Sequence, residues 1–374
     1  MNVLMLLKCN GLKYDDRVRK EALSLEKIGY KVCINVVEND NTKGSGFIFS
    51  ERINYIKHSL ITRRFIPGNK LLFVKMLELF FRVLPLTLKK NTIVWLHDPI
   101  MFVFVPYFYF IKKLGLVDKI VWDQHELPPE KFLNSKLLQP LYKFSMSLAD
   151  VKIHANEERA LYLNNKIEKE FDYEVLRNFI DEDFLSEEVM PLENDVASWL
   201  SQDEYYLLQS GAYESRNFSN VVSAICNKIK AKCVVVGGFD TEYISKLRSS
   251  YSNFDDYFFL VGMVDQIRLV DYIERAKASV IFYDDKEVNS LYCEPNRLYQ
   301  AIGRGCPVIV GNNPTMKNIV ERLSCGVVVS DSGNSPENII TAFLAFTHSD
   351  VCVTREAKKE FVWSAQSNVF SQFM

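Results

Sequence analysis

Short apolar runs alternate with amphipathic stretches along almost the whole chain. Runs with the length and composition of buried strands lie at 3–8, 32–37, 53–57, 92–96, 119–122, 151–154 and 174–176. Between them apolar residues recur at helical spacing, most plainly over 16–28, 70–88 and 137–149. The pattern lapses into an acidic, irregular stretch at 178–194 and then restarts. Strand-like runs follow at 205–209, 233–236, 258–261, 278–282, 307–310 and 327–329, with helices expected over 217–230, 266–276, 295–304 and 314–323. Single strands separated by single helices pair in parallel, each crossing over its helix to the next. The expectation is an α/β protein of two doubly wound, Rossmann-like domains, 1–181 and 182–350. The last segment, 351–374, is expected to carry one amphipathic helix over 355–370 that contains Phe361-Val362-Trp363.

Composition changes this picture little. A chain of 374 residues suits two domains, and 48% hydrophobic with 25% charged residues supplies material for two ordinary cores. The net charge of −2 gives no reason to expect a nucleic-acid partner. Its distribution is more telling. Residues 1–150 hold 23 Lys/Arg against 14 Asp/Glu, and the remainder hold 22 against 33. Either the first half meets something anionic, such as a membrane surface or a lipid phosphate, or the two halves attract each other. The eight cysteines include no C-x-x-C pair, which argues against a zinc site and a disulfide framework. Free thiols fit a reducing cytosol. The apolar start, Val3-Leu4-Met5-Leu6-Leu7, runs into Lys8 and reads as a first strand rather than a signal-peptide core. The longest apolar run, near 100–111, is too short to span a bilayer.

The densest chemistry lies in Cys293-Glu294-Pro295-Asn296-Arg297-Leu298-Tyr299-Gln300-Ala301-Ile302-Gly303-Arg304-Gly305, followed by the core run Val308-Ile309-Val310. Pro295 suits a first helical turn and Gly305 a helix end. Glu294 and Arg297 sit at the helix start, where free N–H groups and the helix dipole favour a phosphate. The pattern P-N-[KR]-L-[FY]-x5-G-x-P-V-I resembles the donor-site signature of retaining GT-B glycosyltransferases of family 4, in the short form seen in bacterial surface-polysaccharide enzymes. Other segments are similar to the same family: Asp16-Arg17-Val18-Arg19-Lys20-Glu21-Ala22-Leu23, Trp122-Asp123-Gln124-His125-Glu126-Leu127, Ala149-Asp150-Val151, Arg177-Asn178-Phe179-Ile180-Asp181, and the glycine loop Leu208–Asn217 around Gly211.

This resemblance implies the GT-B fold, two Rossmann-like domains facing a cleft, with the last helix crossing back onto the first domain. It implies a nucleotide diphosphate-sugar donor, a glycan or lipid-linked glycan acceptor, and transfer with retention and without a metal or other cofactor. Arg216 and Arg297 would face the donor diphosphate, with Asn296 beside them. The family's Glu-x7-Glu pair is absent: Gln300 stands at the second position and Tyr292 at the first. Gln300 would then take the ribose diol and Glu294 the donor sugar. His125 would lie near that sugar, with Asp123 and Glu126 orienting it or holding an acceptor hydroxyl, and His97-Asp98 behind. The first loop, with Gly11 and Asp16, would lie by the acceptor and the diphosphate, although Asp16 also suits a helix cap. The glycine turn Gly237-Gly238 would line the nucleotide side. Asp181-Glu182-Asp183 matches D-x-D, but it follows no strand and reads as coincidence. Residues 63–82 with 102–110 mix basic and apolar side chains, suiting either core helices or contact with the inner membrane face. Two other functions remain open: a nucleotide-sugar epimerase of the same fold, and a non-catalytic binding subunit.

Overall fold

The computed structural model describes residues 1–66, 71–83, 91–209 and 211–371. They form two compact units, Met1–Arg177 with Gln366–Met374, and Asn178–Ala365.

The first unit is built on eight strands: β1 (Asn2–Cys9), β2 (Lys31–Glu38), β3 (Gly44–Ile48), β4 (Ser50–Lys57), β5 (Thr92–His97), β6 (Lys119–Gln124), β7 (Val151–His154) and β8 (Glu174–Val175). Their order is β3-β4-β2-β1-β5-β6-β7-β8, and every neighbouring pair is parallel except β3–β4. Val3 to Leu7 of β1 are all buried, as expected of a central parallel strand covered on both faces. The chain steps from β1 to β2 in one direction, and from β4 through β5 and β6 to β7 in the other. Right-handed crossovers therefore put helix Asp16–Lys27 on one face of the sheet. Helices Leu72–Val83, Val105–Lys113 and Leu138–Leu148 lie on the opposite face. The helix expected over 70–88 is observed as Leu72–Val83, and 67–70 and 84–90 lie outside the described residues. Strand β3 was not expected. Its Gly44-Ser45-Gly46 start carries no apolar alternation, and it pairs because the chain reverses at Phe49, φ +65°, onto β4.

The second unit has six parallel strands: β9 (Tyr205–Leu208), β10 (Lys232–Val236), β11 (Phe258–Gly262), β12 (Ala278–Ile281), β13 (Val308–Val310) and β14 (Gly326–Val328). Their order, β11-β10-β9-β12-β13-β14, is the Rossmann order 3-2-1-4-5-6 counted within the unit. In both units the order reverses beside the first strand, which opens a crevice at the carboxyl ends of the strands there.

The chain leaves the first unit at Arg177–Asn178 rather than near 181, and returns at Ala365–Gln366 rather than at 351. Packing explains both shifts. Phe179 and Ile180 are buried in the second core with Tyr299 and Phe361. Ile180 and Val362 pair in a short parallel bridge, its backbone bonded to Phe361 and Trp363. The tail is not one helix. Arg355–Glu360 ends before this bridge, a 3-10 turn spans Trp363–Gln366, and a last helix, Ser367–Ser371, lies in the first unit. The Gln366 amide brackets the Arg177 backbone, accepting from its N–H at 2.7 Å and donating to its carbonyl at 2.8 Å.

Beyond that anchor, the Phe370 ring stacks on Trp95 of β5, centroids 6.1 Å apart and planes 16° apart, and both rings are buried. Phe370→Ala should cost about 3–5 kcal/mol of stability in the first unit. Urea unfolding followed by tryptophan fluorescence would measure it, and an unchanged midpoint would show that the tail does not brace β5.

Candidate functional site

At the carboxyl edge of the first sheet, strand alternation sorts the side chains. On β6, Trp122 and Gln124 point to one face, where the Trp122 ring lies 5.1 Å from that of Tyr142 and Tyr142 bonds the Gln124 amide. Asp123 points to the other face, the one that carries helix Asp16–Lys27, and Arg17 of that helix reaches it. His97 of β5 is its register partner and shares that face.

Asp123 is wholly buried and held by Arg17. The guanidinium donates from Nε to Oδ2 and from Nη2 to Oδ1, each at 2.7 Å. Its Nη1 donates to the Leu176 carbonyl at 2.7 Å. Arg17 lies on the buried stripe of its helix with Val18, Glu21, Ala22 and Leu25. Burial opposes charge on Asp123, but Arg17 and the two histidines outweigh it and hold the carboxyl well below its usual range. Glu21, one turn on from Arg17, goes the other way. Burial, reinforced by the Asp123 charge, holds it well above the usual carboxylate range, although Arg17 Nε is only 3.0 Å away. Asp123 is therefore the charged partner of Arg17, and Glu21 is the group that favours a proton.

Two imidazoles share Asp123. His125 Nδ1 lies 3.3 Å from Oδ2, with 29% of its side chain exposed. Burial opposes a charged ring there, but the Asp123 carboxylate prevails and raises its pKa. His97 Nδ1 lies 3.4 Å from the same oxygen, and its Nε2 lies 3.7 Å from Glu21. Neither His97 nitrogen makes a hydrogen bond of good geometry, and burial lowers its pKa. His154, register partner of Gln124, is buried and pushed down to about 4. Asp98 is held at φ +79°, a rare conformation for a side-chain-bearing residue. Its backbone is fixed by Asp98 N–H to the Asp123 carbonyl at 2.9 Å and by Trp122 Nε1–H to its own carbonyl at 3.1 Å.

His97, Asp123 and His125 bring one ligand atom each within 4.8 Å of one another, a grouping no spacing in the sequence points to. Arg17 already takes one lone pair on each Asp123 oxygen, so a divalent ion there would share the carboxylate with a fixed positive charge. Glu126 is exposed beyond His125. Asp16 does not cap its helix: Asp15 accepts from the Val18 N–H at 3.1 Å, while Asp16 pairs with Arg19 at 2.6 Å and Lys20 at 2.7 Å. Gly11 is extended, φ −172°, and a methyl group there would stand 3.4 Å from Tyr14, so its position does not require glycine.

The second unit gathers a different set at its switch point. Gly211, φ +74°, turns the chain after β9, and a Cβ there would stand 2.0 Å from the Gly238 carbonyl oxygen. Gly237, φ +124°, turns the chain after β10. The two glycine turns lie in contact, joined by Ala212 N–H to the Gly238 carbonyl at 3.1 Å. Ser210 of the first turn lies outside the described residues. Arg216 ends the short 3-10 turn Glu214–Arg216, and its Cζ lies 3.7 Å from the centre of the buried Tyr283 ring, just past β12. Arg297, second residue of helix Asn296–Arg304, lies 5.0 Å from the same centre and donates Nη2–H to the Tyr283 hydroxyl. Its Nη1 is buried without a hydrogen-bond partner. Among the described residues neither arginine makes an ion pair. Burial, with Arg297 adding to it, lowers the Arg216 pKa.

Pro295 stands just before this helix as its N-cap rather than inside its first turn, and Gly305 ends it at φ +83°. Glu294 and Asn296 are half-buried beside that start. Gln300 is only 4% exposed, and its amide oxygen accepts from Gln209 at the end of β9.

Sequence reasoning gave no role to Arg17, Glu21, His154, Gln209 or Tyr283. A signal existed for the first two: an Arg and a Glu four residues apart on the apolar stripe of an amphipathic helix. Tyr283 carries no such mark, because only the fold puts two arginines on its ring.

Each unit is a Rossmann-like three-layer sandwich with its polar groups at the carboxyl edge, and together they give the chain the GT-B fold. Solved structures agree over its full length. A sucrose-phosphate synthase from Thermosynechococcus elongatus matches at TM-score 0.77 and 14% identity, covering 100% of this chain and 98% of that one. The trehalose-6-phosphate synthase OtsA matches at 0.70 and 10%, covering 100% and 98%. HepE of Anabaena, in complex with UDP, matches at 0.69 and 11%, covering 100% and 99%. No protein-family model matches the sequence, and no curated protein does.

The Arg17–Asp123 pair yields a two-part prediction. Asp123→Asn leaves a buried guanidinium without its counter-charge and should cost about 3–5 kcal/mol by denaturant unfolding. The same change should lower the His125 pKa, because burial and the Arg17 charge then face only Asp98; NMR titration of the imidazole reads it. In the parent the His125 contribution to stability is full below about pH 6.5 and is lost as pH rises through its higher folded pKa. The Asp123 contribution is present above about pH 3.9 and is lost as pH falls through its lower folded pKa. A His125 pKa unmoved by Asp123→Asn would refute this linkage.

Proposed function

We propose that this protein is a glycosyltransferase that moves a sugar from a nucleotide diphosphate-sugar to a glycan or lipid-linked glycan, with retention. Its setting would be surface-polysaccharide synthesis in the cytoplasm, at the inner membrane face. One observation carries this reading: two guanidiniums converge on the Tyr283 ring, neither in an ion pair among the described residues, in the acidic half of the chain. Two like charges brought to one buried ring call for an anion of more than one charge. A leaving diphosphate gains negative charge as the glycosidic bond breaks, so cations fixed there favour the transition state over the ground state. Gly211 lets the turns after β9 and β10 pack backbone to backbone at the same sheet edge. HepE, of like fold, was solved with UDP and with UDP-glucose, which supports the same donor class here.

In this reading Gln300 bonds the ribose through the amide N–H groups that its bond from Gln209 leaves free. Glu294 and Asn296 meet the donor sugar or its phosphates at the helix start. His125, its pKa raised by Asp123, donates a hydrogen bond to a sugar hydroxyl, with Glu126, Gly11 and Asp16 on the acceptor side. The departing diphosphate oxygen takes the proton of the incoming hydroxyl on the same face, so no protein base is required. The cluster of His97, Asp123, His125 and Glu21 favours a second reading, a nucleotide-sugar epimerase, in which such groups exchange protons at the sugar ring. Turnover that requires an acceptor separates the two. Nucleotide-sugar binding without any turnover would favour a binding subunit, in keeping with Tyr292 and Gln300 at the Glu-x7-Glu positions.

Arg297→Ala should weaken nucleoside diphosphate binding by roughly 1.5–3 kcal/mol, the worth of a hydrogen bond to a charged group, and Arg297→Lys should restore part of it. Calorimetric titration with UDP and GDP tests this, and affinity equal to the parent's would remove Arg297 from the diphosphate. Turnover should also survive EDTA, because Arg17 rather than a metal neutralises Asp123. Activity lost to the chelator and recovered with a divalent ion would reopen the His97–Asp123–His125 trio as a metal site.

A further inference from the structure

Three helices on one face of the first sheet turn apolar side chains outward. Leu77 and Phe81 do so from Leu72–Val83, Phe110 from Val105–Lys113, and Leu141 and Phe144 from Leu138–Leu148. Phe81 is 66% exposed and Phe110 61%. Leu114 and Leu137, at helix ends, extend the same surface, Leu137 at 70% exposed. The helices lie side by side. The Phe80 ring meets Tyr107 edge-on at 4.9 Å, and Ser145 Oγ–H donates to the Phe102 carbonyl, just before the middle helix, at 2.9 Å. The stripes run at i, i+4 on Leu72–Val83 and at i, i+3 on Leu138–Leu148, spacings that normally face a core. An apolar surface spread over three neighbouring helices is unusual for a face left to water.

Charge selects the occupant. The three helices contain five cations, Lys75, Arg82, Lys112, Lys113 and Lys143, of which Lys75 is buried, and one carboxylate, Glu78. Glu78 is paired with Arg82, and Asp150, which follows the third helix, with Lys112. Lys113 and Lys136 stand exposed at the rim. No helix among the described residues is long and apolar enough to cross a membrane. We infer that this three-helix face docks on an anionic lipid bilayer, seating Phe81, Phe110 and Phe144 at the headgroup–acyl boundary while Lys113 and Lys136 meet lipid phosphates. A second copy of this chain would bring the same cations against each other, whereas an anionic surface attracts them. This deepens the membrane side of the proposed function, yet its test needs neither donor nor acceptor, so the two fail separately.

The test is flotation of the full chain with phosphatidylglycerol-containing vesicles and with phosphatidylcholine vesicles. Binding is expected with the first alone and should weaken as salt rises. Phe110→Asp with Phe144→Asp should lower the partition coefficient at least about tenfold. Lys113→Glu with Lys136→Glu should lower it mainly at low salt. If the aspartate variant misfolds, hydrogen exchange on the parent still decides, with vesicles expected to protect Val105–Lys113 and Leu138–Leu148. Parent binding to neither vesicle, equal flotation of the aspartate variant, or a dimer in light scattering that Phe110→Asp dissociates would each overturn the inference, the last by assigning the face to a second copy.

Discussion

Everything at the carboxyl edge of the first sheet depends on one buried bidentate contact, Arg17 to Asp123. A buried ion pair of this sort adds little net stability over well-packed apolar residues, because both charges must leave water. Its consequence is positional. By neutralising Asp123 in place, Arg17 lets a full negative charge persist at zero exposure, and that charge divides the neighbouring titratable groups. His125, at the surface of the cluster, is pushed toward its cationic form. Glu21, deeper, is pushed toward its neutral form. One pair of charges thus prepares a proton-rich edge, with groups of opposite tendency a few ångströms apart, as functional sites often have.

The second unit solves a related problem without a carboxylate. Arg216 and Arg297 are brought to the two polar opportunities of one tyrosine, its ring face and its hydroxyl. Cation–π contact and one hydrogen bond hold the guanidiniums in place without, among the described residues, an ion pair to either. The rest of the edge is arranged for close approach. Gly211 and Gly238 touch backbone to backbone, and Gly303 lets helix Asn296–Arg304 sit against Ile180, where a Cβ would come within 2.4 Å. The linker is thereby anchored in the second core by Phe179, Ile180 and Phe184, although the stretch around them is acidic.

How much of this was legible in the residues can be argued element by element. The period of the apolar runs determined the α/β class, thirteen of the fourteen strands and the two-unit plan, because burial of both sheet faces leaves a local, repeating mark. Gly305 announced its left-handed helix end, and Arg216 and Arg297 stood out through motif context. The missed strand, Gly44–Ile48, has no such mark; its pairing follows from a turn and a waiting edge on β4. Asp15, not Asp16, is the cap because the helix begins at Asp16, one residue earlier than an Asp16 cap would require. The tail divided because Phe361 and Val362 were claimed by the second core and Phe370 by the first.

What the sequence by itself determined is therefore what neighbouring residues decide together: periodicity, helix ends, turns and short motifs. Only the tertiary structure decided which distant groups share a low-dielectric space. Arg17 meets Asp123 because a right-handed crossover puts the first helix on the face to which Asp123 points, and the long Arg17 side chain reaches across to β6. His97 joins them through strand register, and Tyr283 receives two arginines because three loops end at one sheet edge. Charge strength and proton affinity depend on burial and on partners far away in the chain, so the chemistry of both edges came into being only with the fold.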